Sequence, residues 1–233
     1  MFNKNMIDVL TQINGIADSI ILKYPQTIAV SEQRDIVVSC DVSKLDGEAF
    51  EDIGIMNLAD FLNIFKLFPD GSDCSMLDNT INISSGDTSS TFIVDNIALM
   101  DAYEQSPVQF TKTEEAPSVA TFDLTQDDIK KLKSASGVFK TLDELMITSQ
   151  DGDIKLSLAA TGSYNARSNT FDVMKQANTT KEFEIKVPVE NFKKLPVSEY
   201  EVRVKYNSAN DDYRLLLVNK SLEGFKILMS IIA

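Results

Sequence analysis

The side chains that most often carry enzyme chemistry are sparse in this chain. There is no histidine, which removes Ser-His-Asp and Cys-His nucleophilic catalysis, His-ligated zinc and imidazole proton shuttling. The two cysteines, Cys40 and Cys74, are too few for a cysteine-only metal cluster and read as free thiols of a reducing compartment. Carboxylates remain. Asp70 with Asp73, or Asp211 with Asp212, have the type needed for the acid and base of a hydrolase, and Asp151 with Asp153 could offer oxygen ligands to a cation. Each pair lies in a polar, turn-like run, and Asp151-Gly152 is a hairpin-turn sequence. No Walker-type glycine loop, dinucleotide fingerprint or nucleophile elbow occurs. The expectation is a protein that is not an enzyme and holds no metal or cofactor.

The remaining chemistry is electrostatic. The net charge is −13, and it is unevenly distributed: residues 1–116 hold 6 basic against 19 acidic residues, and residues 117–233 hold 16 of each. An acidic balance argues against tight non-specific nucleic-acid binding but leaves room for a basic face on an acidic body. The lysines of interest sit in four helical patterns. Met6–Ile16 and Asp128–Val138 each space apolar residues three apart and then meet a glycine, the signature of an amphipathic helix and its stop. Asn57–Phe68, N-capped by Asn57 and ended by Pro69, and Pro188–Leu195, ended by Pro196, are shorter. Helical geometry turns Ile129, Leu132 and Ser136 inward and Lys130 and Lys131 outward, with Lys133 at the flank. Val189 and Phe192 turn inward, Lys194 outward, and Lys193 flanks. In the first half Lys4 is outward beside Asn5, Asp8 and Gln12, while Lys66 flanks a face carrying Asp60 and Asn63.

These helices belong to a chain written twice. A shift of 122 residues superposes Ile7 on Ile129, Leu10 on Leu132, Gly15 on Gly137 and Ile16 on Val138. Ile28–Ser39 and Met146–Ser157 both read as strand, tight turn, strand. Alternating segments follow each second helix: 81–84 and 91–94, then 199–206, 213–218 and 225–232. The run from Tyr103 to Pro117, with two prolines and little periodicity, reads as an exposed connector. The expected organisation is a first domain over 1–107, a connector over 108–117 and a second domain over 118–233. No run approaches 18 apolar residues and the N-terminus lacks a basic-then-apolar segment, so neither a membrane span nor secretion is expected.

At Ile21-Leu-Lys-Tyr-Pro-Gln-Thr-Ile-Ala-Val30 and Ile53-Gly-Ile-Met-Asn-Leu-Ala-Asp-Phe-Leu-Asn-Ile-Phe-Lys-Leu67 the sequence resembles the sliding DNA clamps, specifically the processivity clamp of T-even-type tailed phages. The resemblance spans nearly the whole chain. It implies an α+β DNA-clamp fold of two similar domains, each with two helices packed on antiparallel β-sheet. It also implies a homotrimeric ring around duplex DNA that tethers a DNA polymerase, is loaded by an ATP-dependent clamp loader, and works in the cytoplasm of an infected host. On that resemblance Lys4, Lys66, Lys130, Lys131, Lys133, Lys193 and Lys194 face the duplex, most of the positive charge coming from the second half. Val108, Phe110, Ile231 and Ile232 would then wall a pocket for a partner peptide, and segments around 81–94 and 142–181 would close the ring. The alternative weighed against it is a non-enzymatic acidic phage protein, of DNA-mimic or structural type, acting on a host factor.

Overall fold

The structure is a computed structural model that describes residues 2–45, 49–69, 71–100, 107–161 and 170–231. The chain divides into two compact units, 1–106 and 107–233.

In the first unit, α1 (Lys4–Asn14) begins at Asn3, whose side chain accepts from the Met6 amide, and stops at Gly15 as the glycine signal predicts. It is followed by β1 (Ile20–Leu22), the hairpin β2 (Gln26–Val30) and β3 (Ile36–Asp41), then β4 (Ile53–Ile55), antiparallel to β1. Helix α2 (Leu58–Phe65) is capped by Asn57, which accepts from the Asp60 amide. The meander β5 (Asp73–Leu77), β6 (Thr80–Ser85) and β7 (Thr88–Ile93) completes the unit. α1 packs against α2 through Met6, Val9, Leu10 and Ile13 on one side and Leu58, Phe61 and Leu62 on the other, all buried. The Phe61 ring meets Phe2, Phe65 and Phe92 at centroid distances of 5.2, 5.0 and 5.0 Å, all edge-on. Each such pair adds about 0.5–1.5 kcal/mol beyond burial.

Gly54 is required in β4 by close approach. A Cβ there would lie 2.7 Å from the Asp95 carbonyl oxygen and 2.5 Å from the Met100 sulfur. The Asp95 amide donates to the Gly54 carbonyl at 2.9 Å, and the Asp95 carboxylate accepts from the Met56 amide at 2.8 Å. Gly54→Ala must push the Asp95 backbone away and break this bridge. It is expected to destabilise the unit by about 1–3 kcal/mol, lowering Tm by roughly 5 °C in thermal denaturation; an unchanged Tm contradicts this.

The second unit opens with α3 (Pro107–Glu115), then β8 (Ser118–Leu124), α4 (Gln126–Val138), β9 (Glu144–Gln150), β10 (Asp153–Ala159), β11 (Phe171–Thr179), β12 (Glu184–Pro188), α5 (Val189–Lys194), β13 (Tyr200–Asn207), β14 (Asp212–Asn219) and β15 (Phe225–Ser230). Within the unit the strands run β12-β9-β10-β11-β8-β13-β14-β15, every pair antiparallel. Asp151 and Gly152 take φ of 52° and 88° at the β9–β10 turn, the left-handed conformation a tight hairpin needs. Leu132, Ile129, Ile154, Leu158, Val204 and Phe225 are fully enclosed, so the core lies between the sheet and the helices α4 and α5.

Two expectations change. The segment read as an exposed connector is helical from Pro107 to Glu115, and Phe110 within it is 1% exposed. The two prolines that suggested a connector in fact bracket a helix, one at its first position and one beyond its end. The internal repeat also stops short of its last pair. Gly15 ends α1, but Gly137 lies inside α4, which runs on to Val138, 75% exposed where its counterpart Ile16 is buried.

Candidate nucleic-acid interface

Helix α4 is fixed at its start by a capping box. The Thr125 hydroxyl accepts from the Asp128 amide (3.2 Å), while the Asp128 carboxylate accepts from the Thr125 amide (2.9 Å) and hydroxyl (2.7 Å). Lys175 of β11 donates to the same carboxylate at 2.6 Å. Burial pushes the Asp128 carboxyl up, but the hydrogen bonds from Lys175 and Thr125 outweigh it and hold the group below its ordinary value. Asp128, Ile129, Leu132, Ala135 and Ser136 are buried, as the helical pattern requires. That phase puts Lys130, Lys131 and Ser134 in solvent.

Helix α5 packs beside α4 and buries Val189, Asn191 and Phe192. Its N-cap, Pro188, makes no side-chain capping bond; the Val189 amide donates instead to the Asp143 carbonyl at 2.9 Å. Lys193 is exposed and pairs with Glu190 at 2.8 Å. Lys194 is half-buried rather than fully outward. Lys130, Lys131 and Lys194 have no ion pair or hydrogen bond among the described residues. Lys133 differs: its ammonium donates to the Lys193 carbonyl at 2.7 Å and to the Leu195 carbonyl, and burial lowers its pKa.

In the first unit Lys4 and Lys66 are exposed at the N-terminus of α1 and the end of α2. Lys66 donates to Asn63 at 2.9 Å. Asp8 and Asp60 share these faces, and Asp60 accepts from Asn57 at 2.6 Å. A groove of about 750 Å³ runs between α1, α2 and the start of β5, with Lys4, Asp8 and Lys66 at its polar wall and Phe65 and Phe68 at its apolar one. The exposed lysines of the first unit's helix pair thus stand beside Asp8 and Asp60, while the second unit's pair exposes Lys130, Lys131 and Lys193.

Of the residues expected to wall a peptide pocket, two are described. Phe110 is buried. Ile231 is half-buried just after β15. Ile232 and the side chain of Val108 lie outside the described residues. Sequence reasoning missed Lys205, 5% exposed, whose ammonium donates to the Glu114 and Ala116 carbonyls at 2.6 and 2.7 Å and so ends α3. Lys226 adds an ion pair to the Glu114 carboxylate. Strand alternation places Lys205 on the face opposite Val204, and the unbroken pairing with β14 keeps it there; the carbonyl end of α3 lies over that face and buries it. Burial, aided by the Arg203 charge, lowers its pKa against the opposing pull of Glu114.

Of the candidate hydrolytic carboxylates, Asp211 and Asp212 are engaged elsewhere. Asp211 sits at a turn with φ of 50° and accepts from the Tyr206 hydroxyl at 2.8 Å. Asp212 pairs with Arg214 at 2.9 Å. Asp73 is exposed at the start of β5, and Asp70 lies outside the described residues. Among the described residues, no group of three or more His, Cys, Asp or Glu side chains could hold a metal ion, and no helix is long and apolar enough to cross a membrane.

No protein-family model matches the chain, and no curated protein matches it by sequence. Solved structures do match by shape. Proliferating Cellular Nuclear Antigen from Entamoeba histolytica superposes with a TM-score of 0.67 at 12% identity, over 97% of this chain and 94% of that one. The PCNA2-PCNA3 complex from Sulfolobus tokodaii gives 0.66 at 13%, over 97% and 95%. PCNA from Thermococcus kodakaraensis gives 0.67 at 12%, over 99% and 98%. At such identities the likeness is one of fold: the chain has the PCNA-type α+β fold, with few helices packed on large antiparallel sheets.

Proposed function

We propose that this chain is a sliding clamp of the kind used by T-even-type tailed phages. Three copies would close into a ring around duplex DNA and tether a DNA polymerase, after opening by an ATP-dependent loader whose ATPase is another polypeptide. The observation that carries the reading is the outer face of α4 and α5, where Lys130, Lys131 and Lys194 stand without acidic partners among the described residues on a chain of net charge −13. A clamp needs no reaction chemistry. It needs enough positive charge on its helices to accept phosphates, and little enough elsewhere that the duplex slides. Lys193, Lys4 and Lys66 would add weaker contacts, each already shared with a neighbouring side chain or an acidic face.

Ring closure would use free sheet edges. Strand β7 is an edge of its three-stranded sheet among the described residues. Strand β11 pairs with β8 only over Ala177–Thr179, so the same side of Phe171–Gln176 is unpaired among the described residues. Edges of this kind attract another strand, and a head-to-tail contact between the acidic first half and the neutral second half would avoid the repulsion of two acidic halves.

Solution mass against concentration tests the reading. It should approach three times 25.9 kDa as concentration rises. A mass of 25.9 kDa at every concentration would instead favour an acidic protein that binds a host factor.

A further inference from the structure

We propose that Lys133 is a positioning residue that locks α5 to α4 and so sets where Lys193 and Lys194 are presented. The inference rests on the clamp reading. Helix α5 has six residues, too few to be stable on its own, and its last carbonyls have no intrahelical donor. Lys133 supplies that donor from another helix, bonding the carbonyls of Lys193 and Leu195 across 60 and 62 residues of chain. A cation at a helix C-terminus is also favoured by the helix dipole.

The arrangement divides labour along α4. Lys130 and Lys131, within the preceding turn, point to solvent with no partner among the described residues. Lys133 turns sideways, half-buried, and gives its protons to backbone oxygens. The other end of α5 is held by one backbone bond, from the Val189 amide to the Asp143 carbonyl. The Asp143 carboxylate is itself fixed by the Thr161 amide and hydroxyl at 2.7 and 2.8 Å. Without Lys133 the Lys193 and Leu195 carbonyls lose their donor, and the C-terminal turn of α5 keeps the Leu195 amide bond to Phe192 at 3.1 Å and the exposed Lys193–Glu190 pair at 2.8 Å. The turn that carries Lys193 and Lys194 would then fray, and the two basic helices would no longer move as one surface.

The test compares Lys133→Met, which keeps the apolar stem and removes the donors, with Lys133→Arg, which keeps charge and donors. It uses the full chain and two readouts: amide exchange over residues 192–195, and the salt dependence of loader-dependent retention on circular duplex DNA. Lys133→Met should speed exchange in α5 by at least about tenfold, since both charge-assisted hydrogen bonds to the Lys193 and Leu195 carbonyls are lost. It should weaken DNA retention as Lys193→Gln with Lys194→Gln does, and should add nothing further in that double-glutamine background. Lys133→Arg should restore both readouts. Unchanged α5 exchange in Lys133→Met overturns the inference and leaves the clamp reading standing. Faster exchange with a DNA effect that adds in full to the double-glutamine background overturns the positioning role, leaving Lys133 a phosphate contact in its own right. A wild-type chain with no loader-dependent retention overturns the clamp reading, and this role with it.

Discussion

Replacing Lys130, Lys131 and Lys194 together by glutamate is expected to lower loader-dependent processive synthesis by at least an order of magnitude while leaving the solution mass unchanged. The three side chains make no ion pair or hydrogen bond among the described residues, so no polar contact is lost. Lys130 and Lys131 are exposed, where substitutions change stability by about 0.5 kcal/mol or less; Lys194 is half-buried and adds the loss of its packed stem. The effect on DNA is of another size. Each phosphate contact releases counterions and contributes about 0.9 to the slope of log affinity against log salt for B-DNA. Reversal replaces that release with repulsion between carboxylate and phosphate. The milder variant, all three as glutamine, should flatten the salt dependence without abolishing synthesis. Normal synthesis by the glutamate variant would remove these lysines from the DNA-facing role, and a fall in mass would show that they serve assembly instead.

If the chain closes into the proposed ring through β7, Thr91→Pro is expected to convert that ring to single chains. Strands β6 and β7 are joined by Gly86-Asp87, with Ser85 opposite Thr88 and Gly86 at a φ of 58°. In a two-residue hairpin the closing pair is hydrogen-bonded and pairs alternate from there. Thr88, Ser90 and Phe92 therefore bond to β6, and Ser89, Thr91 and Ile93 point their amides away from it. Strand β7 carries no charged residue and no proline, the usual protections of a free edge. A proline at Thr91 removes one outward amide and places a ring in the path of an incoming strand, while every β6–β7 ladder bond survives. The internal loss is the Thr91 hydroxyl bond to Asn82, at 3.1 Å and exposed, which is worth about 1 kcal/mol at most. The unit should stay folded by circular dichroism, and the mass should fall to 25.9 kDa. A variant that keeps the threefold mass would move ring closure to another edge.

What could be read from the residues, and what could not, separates along the range of the interactions. Asn57 at the start of α2, Gly15 at the end of α1 and Asp151-Gly152 between β9 and β10 are local devices, and each is where the sequence places it. The inward face of α4 follows from helical period alone. Strand β8 was missed because its burial does not alternate cleanly: Val119 and Ala120 are both enclosed. Helix α3 was missed because its apolar pattern is weak, and its end is held from outside by Lys205. The largest gap concerns the lysines. Lys130, Lys133 and Lys205 are alike by type, and only tertiary structure separates one in solvent from two that bond backbone carbonyls 60 or more residues away. Helical phase marks a side chain as outward or flanking; it does not say what waits at the flank.

The measurement closest to the central claim is retention on DNA of defined topology. The protein is loaded onto nicked circular plasmid by its loader and ATP, separated from free protein, and the plasmid is then cut once. Encirclement predicts that the protein stays on the circle through a high-salt wash, which would strip ordinary phosphate contacts, and leaves once ends are available. Equal retention on circular and linear DNA, or loss from both at the same salt concentration, would mean that the chain grips the duplex rather than surrounding it.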